Sequence, residues 1–355
     1  MARNNLHWNL KGQVCQNTHL GSIQFYTRRI QLNTMNHPKM HENPPNAVKM
    51  VEISSDQAGQ RLDNYLMTQL KGVPKSHIYR LLRSGQVRVN KGRKKPAYRL
   101  QHGDLVRIPP VRVAARAETV VPDAVIDLLM KARLFENDNI LVLNKPPGIA
   151  VHGGSELDFG IIEAMRKIYP DQFLELVHRL DRDTSGCLVL AKNRGTLNTL
   201  HQALRKEGND GHTPAVEKTY LALLVGHWQH GDRTIDLPLR KVRRGGEHIV
   251  EVSDDGQKAV SHFKLVQHYR DASLMQVRID TGRTHQIRVH AAASGHPVAG
   301  DSKYGDAAFN REMRKRGLKR LFLHASHIVL PLGEGISVHA PLSEDLSGFL
   351  DNITL

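Results

Sequence analysis

Apolar positions recur along this chain with more than one period. Between residues 60 and 85 the period is helical. In QRLDNYLMTQL, Leu62, Tyr65, Leu66 and Leu70 share one face, the i, i+3, i+4 spacing of an amphipathic helix. PKSHIYRLLRSG follows, with Ser76 as N-cap, Ile78, Leu81 and Leu82 as the buried stripe and Gly85 as the stop. The period then shortens to two, so QVRVN and DLVRIP read as strands on either side of the turn NKGRKK. These elements make a small α/β module over residues 50–110. The stretch PPVRVAARAETVVPD has no period and begins a linker assigned to 111–134, within which AVIDLLMKARLFEND turns helical on the way to the next domain.

That second domain is predicted over 135–355. NILVLNKPPG is a continuous apolar strand broken by Pro-Pro-Gly. Further strands are expected at 173–178, 187–191, 219–225, 248–252, 261–267, 274–279, 322–330 and 336–339, and helices at 158–168, 195–206 and 284–294. Strands outnumber helices and do not alternate regularly with them. The expected class is therefore α+β: a mixed, largely antiparallel β-sheet with helices and loops on its faces, rather than a doubly wound parallel fold. Residues 1–48 are rich in Asn, His, Gln and Thr without sustained periodicity and read as a disordered extension. No acid precedes Glu42, as in a transit peptide, but Ser is scarce and no amphipathic stripe is present. The expectation is a dispensable extension, or a true start at Met35, Met40 or Met50.

Charge changes the picture most in the first module. Lys and Arg total 50 against 35 Asp and Glu, a net charge of +15. Within 51–110 there are 12 basic and 4 acidic residues, net +8, so over half of the excess falls in this window. Arg80 and Arg83 lie on the second helix opposite its leucines, and Lys75, Arg88, Lys91, Arg93, Lys94 and Lys95 lie in adjoining segments. Cations gathered on one face suit a phosphate backbone. A helical pair leading into a basic strand and turn resembles the RNA-binding module of the S-four ribosomal protein. Two cysteines, Cys15 and Cys187, make neither a disulfide framework nor a thiolate metal site. They fit a reducing cytoplasm. No apolar run approaches the roughly 18 residues of a membrane helix.

The chemistry concentrates at HRLDRDTSG, residues 178–186. Asp181 stands between Arg179 and Arg182, on a loop joining the predicted strands FLELVH and CLVLA. Function favours such loops on rigid scaffolds. Asp183, followed by Thr184-Ser185-Gly186, fits a turn-capping aspartate; Asp181 precedes that turn chemistry. A carboxylate beside guanidinium groups is favoured in its ionised form. It suits nucleophilic attack or charge stabilisation and makes a poor proton donor. Lys218 and Tyr220 in KTYLALLVG sit at the mouth of a buried strand, where a tyrosine is either core or a stacking platform. DTGRTHQIRVH reads as strand, turn and helix, with Thr284 as N-cap, Arg283 in the turn and Arg288 in the first helical turns. His285 and His290 are spaced poorly for a shared metal and read as polar contacts. The motifs G-x-x-x-x-G-K-S/T, H-E-x-x-H and C-x-x-C are absent from the sequence. No metal or cofactor is expected.

VHRLDRDTSG, KTYLALLVG, GRTHQIRVHAAASGHPVAGD and LFLHA, with GQRLDNYLMTQLKGVPKSHIYRLLRSGQVRVN and LVLNKPPGIAVHGGS before them, resemble the signatures of the RluA family of pseudouridine synthases. The resemblance spans residues 50 to 342. It implies cofactor-free isomerisation of uridine to pseudouridine in large-subunit (23S) ribosomal RNA, by an enzyme that flips the target base out of the RNA. Asp181 would be the catalytic aspartate, attacking either the ribose anomeric carbon or the base. Tyr220 would stack on the base, Arg288 would pair with the acid, Arg179 would fill the space left by the base, and Leu323 would wall the pocket. Arg182, Arg283, Lys75, Arg80, Arg83, Arg88 and Lys91 are the further RNA-binding candidates. Two rivals remain at this point: a phosphoryl-transfer enzyme using Asp181 and Asp183 as a metal pair, and an RNA-binding assembly protein with a vestigial catalytic domain. A monomer is the default.

Overall fold

The computed structural model describes residues 47–55, 57–70, 72–111, 120–153, 159–205 and 215–353. Apart from its last two residues, the extension expected over 1–48 lies outside them. The chain divides into two units between Arg116 and Ala117.

In the first unit the elements run β1 (Lys49–Glu52), α1 (Leu62–Gln69), α2 (Lys75–Arg83), β2 (Arg88–Val89) and β3 (Leu105–Ile108). The strands form an antiparallel sheet in the order β1-β3-β2. The helical stripes read from the sequence are what this unit buries: Leu62, Tyr65, Leu66, Ile78, Leu81 and Leu82 pack with Val87, Val89, Val106 and Ile108. The cap of α2 differs from expectation. Its N-cap is Pro74 and Ser76 lies inside the first turn, because the fixed φ of proline sets the chain for a helix starting at the next residue. Gly85, at φ +71, ends the segment as expected.

The second unit continues with α3 (Asp123–Lys131), β4 (Arg133–Glu136), β5 (Ile140–Lys145), α4 (Ile161–Ile168), β6 (Glu175–Leu176), β7 (Ser185–Ala191), α5 (Arg194–Arg205), β8 (Glu217–Val225), β9 (Arg233–Asp236), β10 (Leu239–Arg244), β11 (Glu247–Val252), β12 (Val260–Tyr269), β13 (Ala272–Ile279), α6 (Gln286–Ala293), α7 (Ala307–Lys315), β14 (Leu323–Leu330), β15 (Ile336–His339) and α8 (Glu344–Asn352). One large sheet follows the order β4-β5-β7-β14-β8-β13-β12-β9, with β6 added to β7 and β15 to β14. Only β7 and β14 pair in parallel among the described strands, so the sheet is mixed and largely antiparallel, in an α+β fold. A separate hairpin, β10-β11, stands outside the sheet.

Alternation along the strands divides the core. Leu141, Leu188, Tyr220, Val277 and Leu323 face a cluster completed by Leu129 of α3, Ile161 and Met165 of α4, and Ile287 of α6. Their neighbours Val142, Cys187 and Val189 face α5, and Leu223 and Leu274 face α7 and α8. The stretch 111–134, assigned as linker, therefore holds α3 and the start of β4, ordered because Leu129 is buried in the first cluster. Where β7 meets β14, glycine is required. Gly186 has φ +109, and a Cβ there would lie 2.2 Å from the Ala325 carbonyl oxygen, so any side chain would force the parallel pair apart. That seam fixes where the loop carrying Asp181 enters the sheet.

Candidate active site

The loop before β7 is held from below by a lysine that sequence reasoning passed over. Lys145, at the end of β5, is fully buried. Its Nζ donates to the carbonyls of Pro146 (2.8 Å), Arg182 (2.9 Å) and Thr184 (2.9 Å). Gly148 N–H donates to the same Arg182 carbonyl at 2.8 Å, and Thr184 N–H to Asp181 O at 3.2 Å. The Pro-Pro-Gly break is thus the surface on which the Asp181 loop rests. Burial pushes Lys145 down to about 7, against the upward pull of Asp183 and Asp181. Its signal in the sequence was a charged residue closing an otherwise apolar strand. On the far side of the loop, Ser185 Oγ hydrogen-bonds His324 Nδ1 at 2.9 Å and accepts from Arg320 Nη1 at 3.2 Å. Burial holds His324 down to about 4. It is therefore neutral, and its Nε2–H donates to the Ala340 carbonyl at 3.0 Å.

Asp181 is half-buried, and its Oδ2 lies 3.8 Å from Arg288 Nη1 and 3.9 Å from His285 Nε2. The groups that face the carboxylate are therefore Arg288 and His285, not its sequence neighbours. Arg182 is exposed and pairs with Asp183 at 3.4 Å, and Arg179 is exposed in a neighbouring cleft. The cause is local: residues 181–184 form a turn closed by Thr184 N–H on Asp181 O, so adjacency along the chain does not place these side chains together.

Arg288 is itself fixed by a residue that was not singled out. Its Nε and Nη2 donate to Asp301 Oδ2 and Oδ1, both at 2.7 Å, a bidentate pair. Asp301 Oδ1 also accepts the amides of Lys303 (2.8 Å) and Tyr304 (3.0 Å). Burial pushes the Asp301 carboxyl up, but Arg288 and the two amides more than offset it and hold it below the usual range. The guanidinium also lies over the Tyr304 ring, 5.1 Å from its centroid. Helix α6, which carries Arg288, starts one residue later than expected: its N-cap is His285, at φ 54, not Thr284. The turn is closed instead by Gln286, whose Oε1 accepts from Thr281 Oγ1 (2.8 Å) and Arg283 N–H (3.1 Å). His290 is buried in polar contact, with Ser261 Oγ and the Leu237 carbonyl each at 3.0 Å.

Leu180, Tyr220, Ile287 and Leu323 share one buried cluster. The residues preceding Asp181 and Arg288 thus belong to the same core cluster as the tyrosine and leucine of β8 and β14. Tyr220 also lines a cleft of about 370 Å³ with His178, Arg179, Arg205, Lys218 and Arg283. Four of these are Lys or Arg and none is acidic. Asp181, Arg288 and Leu323 are not among its lining residues. Arg283 is anchored at the rim, donating to the Lys258 carbonyl and Gln257 Oε1 at 3.0 Å. No group of three or more His, Cys, Asp or Glu able to hold a metal occurs among the described residues. In the first unit Lys75, Arg80, Arg83, Arg88 and Lys91 are all exposed. Arg88 braces the basic turn through the Gly85 and Lys91 carbonyls (3.2 and 3.4 Å).

A family model described as RNA pseudouridylate synthase matches residues 139–293, and one described as S4 domain matches residues 60–106. The chain is 50% identical over 323 residues to the ribosomal large subunit pseudouridine synthase C of Pasteurella multocida (strain Pm70), covering 89% of this chain and 97% of the relative. It is also 50% identical over 316 residues to the protein of that name from Escherichia coli (strain K12), with 86% and 97% covered. Human RNA Pseudouridylate Synthase Domain Containing 4 shares the fold, with a TM-score of 0.54 at 23% identity over 65% of this chain and 96% of its own. No helix among the described residues is long and apolar enough to cross a membrane. Half of the residues are shared along nearly the whole of such relatives, and the two matched regions stand in order, so the chain belongs to the RNA pseudouridylate synthase family.

Proposed function

We propose that the protein isomerises uridine to pseudouridine in large-subunit ribosomal RNA, with Asp181 as the catalytic aspartate. The bond from ribose C1′ to N1 of the base breaks and one from C1′ to C5 forms. The proton at C5 leaves and N1 gains one, so the product is an isomer and no electron or group is supplied from outside. The observation that supports Asp181 is the placement of its Oδ2, 3.8 Å from Arg288 Nη1 and 3.9 Å from His285 Nε2. Neither donor is at hydrogen-bonding distance, so the oxygen's lone pairs are not consumed. Such a carboxylate can attack C1′ or the base ring.

The target base must leave the RNA stack first, at a cost of a few kcal/mol. Tyr220, within β8 and lining the cleft, is the platform on which it would stack, and Arg179 is the cation that would enter the gap. Leu323 would wall the base pocket. Arg182 and Arg283, with Lys75, Arg80, Arg83, Arg88 and Lys91 on the first unit, would carry the phosphates. The protein would act in the cytoplasm, as a monomer. The test is release of tritium from uridine labelled at C5. Asp181→Asn should abolish release while RNA affinity changes by no more than a few-fold. Sustained turnover by that variant would remove Asp181 from the chemistry.

A further inference from the structure

Three groups form a line leading away from Asp181: the His285 imidazole, the Tyr304 hydroxyl and the Val250 amide. Tyr304 Oη accepts the Val250 N–H at 2.9 Å and lies 2.7 Å from His285 Nδ1. An amide can only donate, so among the described residues the hydroxyl proton has one acceptor, His285 Nδ1. Burial holds His285 below its ordinary value, with Asp181 pulling it up and Arg288 and Lys303 pushing it down. A neutral imidazole that accepts at Nδ1 carries its proton at Nε2. That N–H is on the ring edge nearest Asp181 Oδ2, 3.9 Å away.

The backbone points the same way. His285 sits at φ 54, a left-handed conformation uncommon outside glycine, though Asn, Asp and His adopt it more than other residues. Strained positions of this kind persist where the surroundings over-determine them. Here the determinants are Tyr304, T-shaped against the imidazole at 5.4 Å, and the start of α6 on which Arg288 is mounted. Both donors facing Oδ2 are thus anchored on their far sides, Arg288 by Asp301 and His285 by Tyr304. Val250 belongs to the β10-β11 hairpin, so the docking of that hairpin sets the direction of the Tyr304 hydroxyl.

We propose that His285 is a positioning residue for Asp181: Tyr304 fixes it as the Nε2–H tautomer, and this N–H joins Arg288 Nη1 in a two-donor cradle that orients Oδ2 for attack. The inference rests on the proposed role of Asp181. It predicts an unusual order among variants. Glutamine places an amide nitrogen near the position of Nε2, whereas asparagine places one near Nδ1. Asparagine, however, is the residue better suited to the left-handed backbone. A structural role for position 285 therefore favours His285→Asn, and the cradle favours His285→Gln.

The experiment measures kcat and KM by C5-tritium release for both variants and for Tyr304→Phe. In parallel, long-range ¹H–¹⁵N correlation on the full chain reads the His285 tautomer without RNA. Expected are an Nε2–H tautomer in the native protein and a mixture in Tyr304→Phe. For His285→Asn and Tyr304→Phe, kcat should fall about ten- to a hundredfold with KM little changed, the loss of one hydrogen bond to a charged group that forms when the 3.9 Å approach closes in the RNA complex. His285→Gln should recover most of that loss. An Nδ1–H tautomer in the native protein, or an asparagine variant as active as the glutamine one, would overturn the proposal. Native protein that releases no tritium would instead sink the reaction assigned to Asp181, and the tautomer measurement would still decide the arrangement of His285.

Discussion

Replacing Lys145 with methionine separates what a buried ammonium does for the fold from what it does for the reaction. The side chain is fully buried and donates to three carbonyls, those of Pro146, Arg182 and Thr184. Arg182 O keeps the Gly148 amide as a second donor, so methionine strands two carbonyls, those of Pro146 and Thr184. Each costs about 1–3 kcal/mol when left unpaired in the interior, or about 2–6 kcal/mol for both. Against this, burial lowers Lys145 from 10.5 to about 7. Keeping it charged thus costs roughly 5 kcal/mol, at 1.36 kcal/mol per pH unit. The two effects nearly cancel, as is common when a buried charge gives way to an apolar group of similar volume. Lys145→Met should therefore unfold in urea within about 3 kcal/mol of the native protein. The Asp181 loop, however, loses the tie that spans it. C5-tritium release should fall about ten- to a hundredfold, and the Thr184 amide, which bonds Asp181 O at 3.2 Å, should exchange faster with solvent. Native-like turnover in a stably folded Lys145→Met protein would refute the claim that this lysine positions the loop. A collapse of global stability would refute the cancellation.

Other consequences follow from the same geometry. Asp301→Asn leaves the buried Arg288 guanidinium without its anion and should cost about 3–5 kcal/mol by urea unfolding, with turnover lost; a change below about 1 kcal/mol would mean that solvent reaches Arg288. Burial holds His178 and His324 down to about 4, with Lys218 adding to the effect on His178. The unfolded chain therefore binds protons that the fold excludes, and stability should fall as pH drops from about 6.5 toward 4, by about 3 kcal/mol for each. Lys145 acts in the same sense at higher pH, adding stability between about 7 and 10.5; urea midpoints that stay flat across both windows would contradict these assignments. Neutralising Arg80, Arg83 and Lys91 together should make the slope of log affinity against log salt shallower by about 2, and an unchanged slope would exclude the first unit's cations from phosphate contact.

Regular periodicity made much of the fold legible, and its failures have physical causes. The stripes Ile78-Leu81-Leu82 and Leu62-Tyr65-Leu66 are buried where the spacing put them. The continuous run at 140–143 is a central strand because both of its faces are covered, by α4 on one side and α5 on the other. Helix α7 was missed because AAFNREMRK buries only Met313, too little to mark a face. Strand β10 was missed because arginine and lysine occupy its exposed positions, and β9 because its four residues bury only Ile235. The candidate site divides along the same line. A motif can mark Asp181 and Arg288 because each is chemically conspicuous in its own segment. The anchors are not: Lys145, Asp301 and Tyr304 act through carbonyls, amides and a ring brought in from β5, β11 and the segment after α6. Those distances exist only once the sheet has ordered its strands. The sequence neighbours Arg179 and Arg182 drew attention because they are close to Asp181 along the chain. Arg288, 3.8 Å away, is held there by a carboxylate thirteen residues further on. Proximity along the chain indicated the charge that Asp181 needs, and the fold supplies it from elsewhere. The Asp181 carboxylate proposed for the chemistry is therefore best regarded as one end of a supported line, hairpin amide to tyrosine to histidine to carboxylate, rather than as an acid between two arginines.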